Sequence, residues 1–316
     1  MPWKVLISLA VLALAGCAAT GIASDRSARG AVEAYPPEGR FLEVDGHRVH
    51  YVEKGSGPDL VLIHGASGNL RDWTYQAVDR LAPRYRVIAF DRPGLGYTPA
   101  LSASGDSIFD QADLLVAAAR QLGADRPIVV GQSYGGAVAL AWAAEHPRHS
   151  AGLVLLGAAS QTWEDSLPAF YRLTGGPLAP LANSAISALA PESRVQDAIR
   201  EVFAPNPVPP GYAEHIGAEL ALRPATLRAN ARQRASLKAE IAALLPRYPA
   251  LDLPVELIHG EADRIVGPQI HSVPTARAIP GARLTLLPDV GHMPQHVAPG
   301  VMDAAIDRVA RRAGLR

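Results

Sequence analysis

One cysteine in 316 residues leaves this chain without a disulfide framework and without a cysteine-rich zinc site. An excess of either charge is also missing. The 30 Lys and Arg balance 30 Asp and Glu, so no basic surplus is available to neutralise a phosphate backbone and no acidic tail is implied. Nucleic acid is therefore not an expected partner. Charged residues make up only 19% of the chain and hydrophobic ones 48%, which is too little charge for a disordered protein and enough apolar mass for a sizeable core. Internal repeats and low-complexity tracts are lacking. No metal or cofactor is expected, and the chemistry has to come from hydroxyl, imidazole and carboxylate side chains.

Long apolar runs are scarce too. The one near the amino terminus, residues 5–14, follows Lys4 and precedes small residues, which is the layout of a secretory signal peptide. It is short of the roughly 20 residues that a spanning helix needs. The run ends in Leu14-Ala15-Gly16-Cys17, which resembles the lipobox of bacterial lipoproteins. That resemblance implies removal of residues 1–16, a lipid on Cys17, export, and attachment to a bacterial membrane with the rest of the chain facing the periplasm. Ala18, where an aspartate could stand, would fit the outer membrane of a Gram-negative cell. The alternative is an uncleaved anchor helix with an incidental cysteine, since no charge follows Lys4 before Asp25. Residues 17–37 are small, polar and end in prolines, and read as a tether.

From residue 38 onward the pattern is that of a folded domain. Residues 41–44 and 49–52 alternate apolar with polar or aromatic residues around Asp45-Gly46, which predicts an antiparallel hairpin. Short apolar runs follow at residues 60–63, 87–90, 128–130, 153–156, 255–258 and 284–287, with the length and composition of strands buried on both faces. Helical patterns lie between them at residues 107–122, 137–145 and 299–312. Strands alternating with helices predict an α/β fold with a mostly parallel sheet covered on both sides, and ligands gather at the carboxyl ends of such strands. One interval breaks the alternation. Residues 161–248 contain no strand pattern but helical stretches at 194–203, 213–222 and 225–245, interrupted by Pro205, Pro207, Pro209 and Pro210. They read as a helical cap inserted between core segments 38–160 and 249–316, because so long a strandless gap is not a usual crossover.

The residues that carry chemistry sit at predicted strand ends. After the run at 128–130 comes Gly131-Gln132-Ser133-Tyr134-Gly135-Gly136, then a helix of small residues. A Gly-x-Ser-x-Gly turn between a buried strand and a helix holds the serine hydroxyl clear of the sheet, and the glycines leave room for the tight turn. The helix start also aims backbone N–H groups at the hydroxyl.

With this motif the chain resembles the α/β-hydrolase family from Phe41 to its carboxyl end, the cap apart. Four further segments match in order: His64-Gly65-Ala66, Asp91-Arg92-Pro93-Gly94-Leu95-Gly96, His259-Gly260-Glu261-Ala262-Asp263 and Gly291-His292-Met293-Pro294. The resemblance implies Ser133 as nucleophile, His292 as its base and Asp263 as the acid that orients the base, in the chain order Ser, Asp, His. It also implies an oxyanion hole made by the backbone N–H groups of Ala66 and Tyr134. His64 then shapes the oxyanion loop, His259 is a packed histidine at a strand end, and His296 follows His292 by one turn. Glu261 and Asp289 read as turn residues, Asp91 as the organiser of its own turn, and Trp73 as either a pocket wall or core.

The reaction expected is hydrolysis of a carboxylic ester or related small acyl compound through an acyl-enzyme. Serine at the elbow argues against haloalkane dehalogenases and epoxide hydrolases, which carry aspartate there. Hydrolysis of a carbon–carbon bond beside a carbonyl and cofactor-free perhydrolysis stay open on the same fold. A non-catalytic, surface-anchored binding protein is the alternative of another class.

Overall fold

The computed structural model describes residues 3–102 and 106–316. Within its first helix the side chains of residues 4–15 lie outside that description, so the apolar run of the expected leader is described by its backbone alone. Eight strands form one sheet: β1 (Arg40–Val44), β2 (His47–Lys54), β3 (Asp59–Ile63), β4 (Arg86–Phe90), β5 (Ile128–Gln132), β6 (Gly152–Leu156), β7 (Val255–Gly260) and β8 (Arg283–Leu287). Their order is β1-β2-β4-β3-β5-β6-β7-β8. The first two are an antiparallel hairpin that joins β4 antiparallel, and the remaining pairs are parallel. The hairpin closes at Val44 and His47, and both Asp45 and Gly46 have positive φ (50° and 81°), the geometry whose twist matches paired strands.

The central strands read as unbroken apolar runs because both of their faces are covered. All five residues of β5 and of β6 are buried. Side chains alternate between the faces. Val61, Ile63, Ile88, Phe90 and Val129 pack with Leu115 and Ala118 of α4 (Ile108–Gln121) and with Val138 and Trp142 of α5 (Tyr134–Glu145), helices that follow α1 (Trp3–Ala34) and the short α2 (Arg71–Thr74) and α3 (Ala77–Leu81) in number. Leu60, Leu62, Val87, Ile128, Val130 and Val154 form the opposite core with Trp73 of α2, Val78 and Leu81 of α3, and Ile306 and Val309 near the carboxyl end. The sheet so covered fixes which strand ends face the same way. A Ser107–Asp110 capping box starts α4.

Between β6 and β7 the described chain is helical: α6 (Ala169–Gly175), α7 (Ala179–Leu189), α8 (Glu192–Phe203), α9 (Tyr212–Ile216) and α10 (Pro224–Leu244). After β7 come α11 (Ser272–Ala278), α12 (Pro294–Val297) and α13 (Pro299–Arg312). The stretch 213–222 is not one helix. It breaks at Gly217, in the left-handed region at φ 59°, and continues as a 3₁₀ turn, Ala218–Leu222. A Cβ at Gly217 would sit 2.8 Å from the ring of Tyr35, so the chain is bare there for a close approach.

Tyr35 points to a correction in the tether. Residues 17–34 are not extended but continue α1 to Ala34, and the helix stops just before Pro36-Pro37. The segment is rich in alanine, the strongest helix former. Its Ser24 and Ala31 are buried, and it packs on α7. Small residues let the two helices approach closely. Among the described residues no helix is long and apolar enough to cross a membrane.

Candidate active site

The turn after β5 carries Ser133 with φ 53° and ψ −117°, a sparsely populated region for a residue with a side chain. Backbone hydrogen bonds hold it there: Ser133 N–H donates to Leu156 O (2.9 Å), and Ser133 O accepts from Gly136 N–H and Ala159 N–H (3.0 Å each). The glycines are steric requirements. A Cβ at Gly131 would collide with the carbonyl of Gly135, and one at Gly135 with the carbonyls of Ile63 and His64. Tyr134 is the first residue of α5, so its N–H has no partner within the helix.

His292 arrives from the loop after β8, and its Nε2 lies 2.9 Å from Ser133 Oγ, half-buried at the elbow. Its Nδ1 donates to Asp263 Oδ2 at 2.7 Å. Asp263 follows β7 by a short turn, and its Oδ1 accepts the N–H groups of Ile265 and Val266, both at 2.9 Å. Burial pushes this carboxyl up, but hydrogen bonds from His259 and His292, the His292 charge and the Val266 N–H outweigh it and hold the group well below the usual carboxylate range. The carboxylate is thus ionised and aimed at Nδ1, which leaves Nε2 to accept a proton from Ser133. Residues 133, 263 and 292, picked from three distant segments, come together in one hydrogen-bonded row.

The loop with Ala66 is pinned by a buried cation. Arg92 donates from Nε to His64 O (2.8 Å), from Nη2 to Gly65 O (2.9 Å) and from Nη1 to Gln111 and Gln233 (2.8 and 3.0 Å). Its guanidinium lies 4.3 Å from the centre of the Tyr134 ring, so one side chain ties the loop of Ala66 to the elbow. His64 accepts the Arg92 N–H at Nε2 (3.0 Å). Burial first, and the Arg92 charge second, lower the His64 pKa to about 4, so it is neutral at pH 7. Asp91 organises the next turn: its carboxylate accepts Leu70 N–H and Tyr97 N–H at 2.7 Å and pairs with His50 Nδ1 at 2.6 Å.

Two asparagines of the helical segment between β6 and β7 reach these loops, and the sequence offered no sign of either. Asn230 of α10 accepts Ser67 N–H (3.0 Å) and donates to Ser67 Oγ (2.8 Å), next to Ala66, where Ser67 itself has φ 56°. Asn206, between α8 and α9, accepts Gly291 N–H (2.9 Å) and donates to Asp289 O (2.8 Å), next to His292.

The remaining candidates separate clearly. Trp73 is fully buried in the core beneath the sheet's other face, with Leu70, Val78 and Leu81. His296 pairs with Asp72 at 2.7 Å, not with the serine. Glu261 and Asp289 are exposed turn residues. His259 is not merely packed: its Nε2 lies 3.0 Å from the Asp263 oxygen that receives His292. Cys17 is exposed on α1, remote in sequence from all of these. Among the described residues no group of three or more His, Cys, Asp or Glu could hold a metal ion.

Residues 58–299 match the sequence profile of the alpha/beta hydrolase fold. The chain belongs to that family. The haloalkane dehalogenase 2 of Mycobacterium tuberculosis is 30% identical over 289 residues, covering 87% of this chain and 95% of that protein. A thermophilic esterase from Thermogutta terrifontis superposes with a TM-score of 0.71 at 22% identity, over 87% of this chain and 99% of the esterase. A membrane phospholipase A described as a bacterial virulence factor superposes with a TM-score of 0.66 at 23% identity, over 98% of this chain and 99% of the phospholipase. At that coverage the shared fold extends into α1.

Proposed function

We propose that this hydrolase cleaves carboxylic esters through an acyl-enzyme on Ser133. The observation that carries the reading is the continuous row from Ser133 Oγ through His292 to Asp263, at 2.9 and 2.7 Å. Ser133 Oγ attacks the ester carbonyl while its proton passes to His292 Nε2. The N–H groups of Tyr134 and Ala66 stabilise the oxyanion, and Arg92 keeps the two backbone segments in register. Collapse of the tetrahedral intermediate expels the alcohol, which takes the proton from His292. A water deprotonated by the same Nε2 then attacks the acyl carbon and releases the acid and the free serine.

Chemistry also decides against halide displacement, the activity named for one relative. A serine oxygen that displaced halide would end as an alkyl ether, which no water attack at a carbonyl can reopen, whereas an acylated serine is an ester and turns over. The cap helices are proposed to limit the acyl group, because Asn206 and Asn230 meet the loops on both sides of Ser133. We propose further that the chain is exported and carries a lipid on Cys17, the lone and exposed cysteine that follows an apolar run. A mature chain beginning at Cys17 would keep the part of α1 that packs on the cap. Labelled palmitate should then enter the wild-type protein but not Cys17→Ala, and a wild type that retains residues 1–16 without label would refute the anchor.

A panel of p-nitrophenyl esters of rising acyl length, run beside a ring-cleavage dienoate and a hydrogen-peroxide assay, tests the reaction class. The expected result is ester hydrolysis with a preference for some chain lengths and loss of turnover in Ser133→Ala. Cleavage of the dienoate with inert esters would replace the reading by carbon–carbon hydrolysis, and no turnover in any arm would favour a binding protein.

A further inference from the structure

The residue just inside the carboxyl end of β7 is a histidine with no exposed surface, His259. Its Nε2 lies 3.0 Å from Asp263 Oδ2 and 2.6 Å from Val266 O. Neither of those oxygens carries a proton at neutral pH, so the proton belongs to Nε2 and His259 is the donor in both contacts. At the other side of the ring Nδ1 is hydrogen-bonded to Ser272 Oγ, the first residue of α11. The imidazole is thereby fixed at both ends, with one N–H aimed at a carboxylate that already serves His292.

We infer that His259 is a positioning residue for the acid–base pair: it shares Asp263 Oδ2 with His292, fixes that oxygen, and limits the negative charge it offers the imidazolium. The inference rests on the reading of Ser133, His292 and Asp263 given above. Four donors converge on Asp263, two backbone N–H groups on Oδ1 and two imidazole N–H groups on Oδ2. A carboxylate oxygen that accepts two N–H bonds is a weaker base than one that accepts a single bond. It remains an acceptor and orients Nδ1–H without drawing that proton across. The backbone pair alone would fix Oδ1 yet leave Oδ2 held by His292 only, the partner that must change charge in each cycle.

The groups that face this pair are few and identifiable. Val266 and Asp263 come from the loop after β7, Ser272 and His271 from the start of α11, and His292 from the loop after β8. His271 accepts the N–H groups of Ser160 and Gln161 at Nδ1, and Arg234 of α10 lies beyond it. Gly157 closes the remaining side, where a Cβ would stand 3.3 Å from His292 Nδ1 and 3.4 Å from Asp263 Oδ2. Any residue other than glycine there would crowd the pair.

The experiment is the pH dependence of ester hydrolysis by the full-length protein and its His259→Leu, His259→Gln and Ser272→Ala variants, with fluorophosphonate labelling of Ser133 as the check that each site is assembled. Leucine removes the donor, so turnover should fall about tenfold, the loss of one charge-assisted hydrogen bond, with KM unchanged. The acid limb of the profile should move to higher pH by roughly half a unit to one unit, because the freed oxygen stabilises the imidazolium more strongly. Glutamine, whose amide N–H reaches the Nε2 position, should restore both. If His259→Leu does not fold, Ser272→Ala, which leaves the ring fixed at one end, should still shift the limb in the same direction by less. A labelled His259→Leu with the wild-type limb, a glutamine variant as shifted as the leucine one, or an unshifted Ser272→Ala where leucine cannot fold, would each overturn the inference and reduce His259 to packing. Failure of the wild type itself to label at Ser133 would instead overturn the underlying reading.

Discussion

The strand-end loops and the helical segment 161–248 are built by different means. In the loops, backbone atoms hold the two side chains that flank His292: Ser133 is fixed by bonds to Leu156, Gly136 and Ala159, and Asp263 by the N–H groups of Ile265 and Val266. In residues 161–248, side chains make the connection: Asn206 to Asp289 and Gly291, Asn230 to Ser67, and Gln233 to Arg92 and Pro93. Exposure follows the same division, since Leu178 and Leu189 of the cap are 65% and 70% exposed whereas β5 and β6 are buried throughout. The difference teaches that backbone bonds fix Ser133 and Asp263 themselves, while residues 161–248 reach the neighbouring loops through a few side chains, so a change there acts on Ser133 only through those loops.

That contrast can be broken at several points. The largest effect belongs to the loops. His292→Ala should lower ester turnover by about four orders of magnitude while leaving the melting temperature within a few degrees, measured by steady-state kinetics beside calorimetry. A comparable loss from any cap substitution would erase the distinction.

Next comes a pH effect in the loop core. His64 is buried neutral with its pKa lowered to about 4, from an unfolded value near 6.5. Between these values the unfolded chain binds a proton that the folded chain refuses, so stability is complete above about pH 6.5 and is lost as pH falls toward 4. Between pH 7 and pH 4.5 the loss amounts to about 2 kcal/mol, to be read from urea unfolding at those two pH values. His64→Gln should be flatter over that window, and an unchanged slope would place the acid sensitivity elsewhere.

Smaller effects are expected where the cap touches the loops. Asn230→Ala frees Ser67 and with it the loop of Ala66, and should cost about tenfold in kcat, the scale of one hydrogen bond at a strained turn. Its stability should change by about 1 kcal/mol, and an effect on KM alone would argue that Asn230 contacts substrate without setting the loop. Smallest of all, Leu178→Gln and Leu189→Gln should leave stability within about 0.5 kcal/mol and kcat unchanged on short esters, because surface positions carry little folding energy.

Much of the loop architecture was legible because geometry restricts residue type there. Only glycine fits at 131 and 135, and a buried run such as residues 153–156 has few readings besides a central strand. The parts that escaped depend on partners far away. Asn230 and Ser67 are 163 residues apart and Asn206 and Gly291 are 85 apart, so nothing local marks either asparagine. His259 looked like packing because its proton acceptor, Asp263, was already accounted for by His292. Residues 17–34 looked like a tether because their helix gains its burial from α7, and small residues that suit a close helix contact also suit a linker.

The residue that holds an acyl group identifies the nucleophile directly. Incubation with a slowly hydrolysed ester, acid quenching and peptide mapping by mass spectrometry should find the acyl adduct on the peptide containing Ser133, and none in Ser133→Ala. An adduct on another residue, or one that persists in Ser133→Ala, would contradict Ser133 as the nucleophile.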